Sequence, residues 1–259
     1  GRHLSFCGFV SRKEFSMYFT DQLEENMTWL NQALHVDKNF DVVYRVLTIA
    51  DKKACLYFID GFTKDDSLLK ILQGFSSIKT DDMPEDAHSF SKKYLPYGEI
   101  GLLSDSREMI IQLLSGVSCL FIDGYDKCLT IDCRTYPARG VSEPEKDKVM
   151  RGSRDGFVET LVFNTALIRR RIRDPKLTME ILTTGESSHT DIAMCYMEGR
   201  ADKKLIETIK KRIQNVKVDA LSMNQERYLC SLYFRRKYRD PGGQFPFCHD
   251  PALFCIRYY

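Results

Sequence analysis

Long apolar runs are missing from this sequence. No stretch approaches the ~20 consecutive residues that a membrane-crossing helix needs, so a soluble polypeptide is expected. A surplus of one charge is missing as well. Lysine and arginine number 38 against 36 aspartates and glutamates, for a net charge of +2. A phosphate backbone is ordinarily met by a basic surplus or stripe, so no nucleic-acid partner is expected. Histidine is scarce, at five residues, and none falls in a His-Glu-x-x-His pair. Gly-x-Ser-x-Gly elbows, Cys-x-x-Cys pairs and Walker phosphate loops are also lacking. The sequence asks for neither an enzyme nor a cofactor, and no signal-peptide pattern opens it.

Cysteine is present but unpatterned. The nine cysteines follow no compact disulfide spacing, and Cys55, Cys119 and Cys195 sit inside apolar runs, where a free thiol behaves as a small hydrophobe. Cys230, Cys248, His249 and Cys255 match no spacing with a fixed zinc geometry, so no metal site is expected.

What the sequence does hold is an alternation of strand and helix signals. In the first half, Leu23, Met27, Leu30 and Leu34 recur at helical spacing, and Asp41–Ile49 and Ala54–Gly61 read as strands. Helices are predicted through Leu68–Phe75, between Pro84 and Pro96, and after the capping Asp105. Val117–Asp132 reads as a hairpin. Tyr136–Glu145, polar with two prolines and a glycine, is the best boundary. Beyond it, strands are predicted at Lys176–Thr184, Thr190–Met197 and Val216–Met223, with a helix capped by Asp202. The pattern implies an α/β fold with mixed sheets in two subdomains, residues 1–136 and 137–259.

Two similar segments, Leu56-Tyr-Phe-Ile-Asp-Gly-Phe62 and Leu120-Phe-Ile-Asp-Gly-Tyr125, each end a core strand in Asp-Gly. Asp60 and Asp123 on adjacent strand ends would suit a metal or acid/base site. The simpler reading is a turn, because Asp-Gly leaves a buried strand with little strain.

The chain is organised around residues 150–175. Arg151 and Arg154 flank a glycine-rich start, Asp155 and Glu159 fall in the first turns of a predicted helix of about 19 residues, and Arg169, Arg170, Arg171 and Arg173 crowd its end. Both ends complement the helix dipole, and the acids at the start oppose a phosphate site there. Phe157, Leu161, Ile168 and Ile172 form the buried stripe, with Asn164 inside it as an amide that must find a hydrogen bond. The arginines spread too far around the helix to serve one partner, so some should pin the two halves together and others face a different subunit.

Arg151-Gly-Ser-Arg-Asp-Gly-Phe157, followed by Asn164-Thr-Ala-Leu-Ile-Arg-Arg-Arg-Ile-Arg-Asp174, resembles the signature of the GerA family, the A subunits of bacterial spore germination receptors. With Thr190-Asp-Ile-Ala-Met-Cys-Tyr196 and Ile213–Asn224, the wording is most similar to the stage V sporulation AF branch, over roughly residues 20–226. Gln244-Phe-Pro-Phe247 and His249-Asp-Pro251 depart from the family's usual continuation.

The resemblance implies two α/β subdomains reminiscent of solute-binding proteins. It also implies a non-enzymatic N-terminal domain on the core (cytoplasmic) side of the spore inner membrane, attached through a region absent from this chain. Partners would be other subunits of a germination complex and further copies of the full-length protein, in assembly or signalling for ion release. An alternative is a module for a small ligand, an amino acid or sugar, held between the subdomains near Asp60, Asp123 and Arg154.

Overall fold

The computed structural model of the 259-residue chain describes residues 17–63, 65–95, 99–135, 160–215 and 253–257. The first half runs α1 (Leu23–Ala33), β1 (Val42–Ile49), β2 (Lys52–Ile59), α2 (Asp65–Ser76), α3 (Ala87–Tyr94), β3 (Ile100–Leu103), α4 (Ser106–Leu114), β4 (Ser118–Ile122) and β5 (Cys128–Ile131). Its strands form one sheet in the order β1-β2-β4-β5-β3, and every pairing is antiparallel.

Side chains alternate across a strand, and here both faces of the sheet are covered. Cys55, Tyr57 and Ile59 of β2 join Cys119 and Phe121 of β4 against Leu30 of α1 and Met109 and Leu113 of α4. On the reverse face, Ala54, Leu56, Leu120 and Ile122 meet Phe75 of α2 and Phe90 of α3. Aspartates set the helix starts. Asp86 accepts from the backbone N–H of His88 and Ser89 at 2.8 and 2.9 Å, and Asp105 from that of Arg107 at 3.2 Å.

The α/β class read from the sequence holds, with antiparallel rather than mixed pairing among the described strands. A strand buried on both faces reads as a continuous apolar run whichever way its neighbour points. Direction is set by the connections, and the short ones after β1 and β4 are hairpins.

The second half runs α5 (Leu161–Arg171), β6 (Leu177–Thr184), β7 (Thr190–Met197), α6 (Lys203–Gln214) and β8 (Leu253–Arg257). Its strands pair antiparallel in the order β6-β7-β8. Asp202 caps α6 by accepting from Lys204 N–H at 2.9 Å, and Ile206, Ile209 and Ile213 form its buried stripe. Thr184 Oγ1 donates to the Ile213 carbonyl at 2.9 Å, tying the end of α6 to β6. The boundary at Tyr136–Glu145, the strand expected at Val216–Met223 and the candidate zinc residues Cys230, Cys248 and His249 lie outside the described residues, as does the side chain of Cys255.

Helix α5 corrects one expectation. It covers 11 residues rather than about 19, because Thr160 is extended (ψ 119°) and no acid stands in its first turn. Asp155 and Glu159 therefore do not begin this helix, and Arg173 follows its end. The buried stripe is as expected at Leu161, Asn164 and Ile168, whereas Ile172 is half-buried at the helix C-cap and Phe157 lies outside the described residues. Ala166 packs into the first half's core while Leu161 and Ile168 pack into the second's, so α5 touches both.

Gly61 packs closely against α5. Its φ is +81°, and a Cβ there would stand 3.0 Å from Val162 Cγ1 and 3.1 Å from Ala166 Cβ. Gly61→Ala combines an unfavourable left-handed backbone with overpacking and should cost about 2–4 kcal/mol in chemical denaturation. The thiols yield a second test. Burial pushes the Cys55 thiol up to about 12 and also raises Cys128 and the half-buried Cys133. A thiolate is the reactive form. Iodoacetamide at neutral pH should label Cys133 ahead of Cys55, Cys119, Cys128 and Cys195 by peptide mapping, and guanidinium should erase the difference.

Candidate functional site

A buried arginine joins the two halves. Arg169 is 1% exposed, and all five of its N–H groups have acceptors. Nε donates to Asp41 Oδ2 at 2.7 Å and Nη2 to Asp41 Oδ1 at 3.0 Å, a bidentate pair between α5 and the residue just ahead of β1. Nη2 also reaches Asn39 Oδ1 at 3.4 Å, while Nη1 donates to the carbonyls of Leu177 at 3.1 Å and Asp174 at 3.4 Å.

Asn39 extends the junction. Its Oδ1 accepts from Met179 N–H at 2.7 Å, its amide nitrogen donates to the Leu34 carbonyl at 2.7 Å, and Phe40 N–H donates to the Met179 carbonyl at 3.1 Å. Residues 39 and 40 thus hold Met179 of β6 by both its N–H and its carbonyl, with a side chain as the acceptor and a backbone N–H as the donor. Asp41 in turn accepts Asp60 N–H through its carbonyl at 2.8 Å, which fixes the end of β2.

A spacing signal for Arg169 existed in the sequence. It lies four residues after Thr165 and eight after Leu161, on the buried stripe of α5 rather than with the exposed Arg170, Arg171 and Arg173. Its partner had none, because Asp41 is 128 residues away and looked like the ordinary start of a strand. Arg151, Arg154, Asp155 and Glu159 lie outside the described residues. Asn164 is fully buried on α5.

Asp60 and Asp123 are not brought together. β2 and β4 run antiparallel with Ala54 opposite Ile122, so the residue following each strand leaves the sheet at the opposite end. At ~3.3 Å per residue the separation along the strands is about 20 Å, too far for a shared metal or proton. Each is followed by a glycine with positive φ, as the turn reading requires. Asp123 instead caps α1 from 100 residues away, accepting Leu23 N–H at 3.1 Å where Gln22 provides no side-chain cap. The shallow depression beside it is lined by charges that pair internally, Glu24 with Lys53 at 3.7 Å and Lys52 over the Tyr125 ring at 4.7 Å. Among the described residues no group of three or more His, Cys, Asp or Glu side chains could hold a metal ion, and no helix is long and apolar enough to cross a membrane.

Among the described residues, the arrangement orients and holds through a bidentate ion pair and the hydrogen bonds around it. Breaking a buried pair from one side strands a charge. Arg169→Met or Asp41→Leu alone should therefore cost about 3–5 kcal/mol, and the double variant much less, since an apolar pair of similar volume replaces buried charges at little cost. Urea denaturation of the three variants measures this; equal losses in all three would contradict it.

The comparisons with known proteins agree with this picture. Residues 28–233 match the family model described as Bacillus/Clostridium GerA spore germination protein. The chain is 34% identical over 200 residues to stage V sporulation protein AF of Bacillus subtilis, covering 77% of this chain and 41% of that protein. It is 30% identical over 199 residues to the uncharacterized membrane protein YfkQ and 26% over 215 residues to spore germination protein KA of the same organism, covering 76% and 81% of this chain. It spans 38% and 39% of those two, so about two-fifths of each of these relatives. A crystal structure of the N-terminal domain of the A subunit of the Bacillus megaterium spore germinant receptor GerK3 has the same fold, with TM-score 0.64 and 22% identity over 86% of this chain and 82% of that one. The family match covers most of the sequence, including both sheets' β1–β7 and the arginine that joins them: the chain belongs to the GerA family of spore germination proteins.

Proposed function

We propose that this chain acts as a non-enzymatic assembly and signalling domain of a germination protein in the spore inner membrane, placed on the core side and working through contacts with other subunits or copies. The observation that carries this reading is the division of labour on α5. Arg169 is committed inward to Asp41, Asn39 and two carbonyls, while Arg170 and Arg171 on the same turn and Arg173 beyond it are exposed. A rigid junction with a basic outer face suits a part that transmits position to a neighbour. The family membership and the fold shared with a receptor A-subunit domain support placing it in such a complex.

The test uses the full-length protein in spores. Arg170→Glu, Arg171→Glu and Arg173→Glu combined should leave the melting temperature of the 259-residue chain within a few degrees, because exposed pairs each contribute about 0–1 kcal/mol. Recovery of the membrane complex and the rate of germination should fall severalfold. Normal assembly and germination by this variant would remove the basis of the proposal.

A further inference from the structure

Another polar contact crosses between the halves, and among the described residues one of its atoms accepts no hydrogen bond. Glu198 follows β7 directly and is held by its N–H, which donates to the Lys176 carbonyl at 2.8 Å. Across from it, in the loop between α1 and β1, stand His35 and Lys38. Lys38 Nζ lies 3.6 Å from Glu198 Oε1, and His35 Nε2 lies 3.8 Å from Glu198 Oε2. Oε2 is buried and accepts no hydrogen bond among the described residues. A buried carboxylate oxygen without a donor is costly, and the nearest group able to become one is an imidazole.

We infer that His35 and Glu198 form a proton-dependent latch between the two halves: protonation of His35 supplies Oε2 with a charge-assisted donor and tightens the junction on its solvent side. The backbone is arranged for this. His35 has φ +47°, a left-handed conformation that L residues seldom adopt. Its carbonyl accepts from Lys38 N–H at 2.9 Å and Asn39 N–H at 3.0 Å. The turn that presents the imidazole therefore also holds Asn39, which binds Arg169 and Met179. A change at the latch is felt directly at the buried pair.

Among the described residues, the charged and titratable groups beside Glu198 are His35 and Lys38 from the α1–β1 loop, Tyr196 from its own strand, and Lys176, which stands opposite it across the β6–β7 pairing. Tyr196 stays protonated, because burial raises it first and hydrogen bonding to Glu180 adds to the rise. Glu180 is itself engaged by Lys210. Histidine is left as the group here that changes charge between about pH 5 and 8. A neutral imidazole can donate through Nε2–H, but a hydrogen bond between ions is roughly twice as strong, so the latch tightens with acid rather than switching from nothing. The sign follows from linkage. The ionic contact contributes where histidine is protonated and is lost as the imidazole becomes neutral with rising pH.

The test is a double-mutant cycle in the 259-residue chain with His35→Asn and Glu198→Gln. Asparagine tolerates positive φ, so the first change removes the charge with little backbone strain. Both side chains are about 30% exposed, which suits variants that still fold. At about pH 5.5 the coupling should be roughly two- to fivefold in the unfolding equilibrium constant. At about pH 8.5, where histidine is neutral, it should fall clearly below its value at about pH 5.5. A coupling that does not vary with pH overturns the inference.

Discussion

A guanidinium has five donors in one plane, and burying it requires five acceptors arranged to match. Arg169 finds them on three separate pieces of chain: the Asn39–Asp41 loop, the residues after α5, and the first strand of the second sheet. Hydrophobic burial is not directional and would allow the two halves to slide over one another. The fork of Arg169 does not. It sets where α5 lies, and α5 in turn lies over Gly61 and contributes to both cores. The Asp41 that neutralises it also carries the carbonyl that receives Asp60 N–H, so the alignment of β1 and β2 at that end is tied to the same residue.

Much of this architecture was written in local patterns. The helices capped by Asp86, Asp105 and Asp202 start at side chains that accept backbone N–H groups within three residues. The β4–β5 hairpin and β7 announced themselves by unbroken apolar runs. What escaped was non-local or short. β3 is four residues long and contains a glycine, and it is a strand only because β5 lies beside it. Asp123 looked like a turn residue and is one, but it also caps a helix 100 residues earlier. No periodicity encodes that. Pairing direction was equally hidden, since burial on both faces removes the alternation that distinguishes antiparallel strands. The candidate site divided along the same line. The sequence singled out the arginine cluster on α5, whereas the acid that receives Arg169 and the Glu198 facing His35 are visible only once the chain is folded.

Buried ion pairs are weak sources of stability and good sources of uniqueness, because a wrong arrangement leaves a charge unpaired in a dry interior. In this GerA family protein, which spans about two-fifths of the relatives it matches, the pair fixes how α5 and the loop ahead of β1 meet. The segregation of charge follows the same division. Residues 17–135 hold 12 lysines and arginines against 19 acids, and residues 160–215 hold 11 against 7. The near-zero total therefore hides a molecule with two electrostatic poles.

The strand order of the second sheet bears on how this protein is made. β7 sits between β6 and β8, and 55 residues separate Met197 from Leu253. During synthesis the β6–β7 hairpin leaves the ribosome well before its third strand, and at ordinary elongation rates of about 5–20 residues per second the interval lasts several seconds. Until β8 arrives, Ile192–Met197 waits for the strand that completes its hydrogen bonding, and strand edges not yet paired are templates for pairing with other chains. The order of the sheet therefore makes its central strand wait longest for its second neighbour.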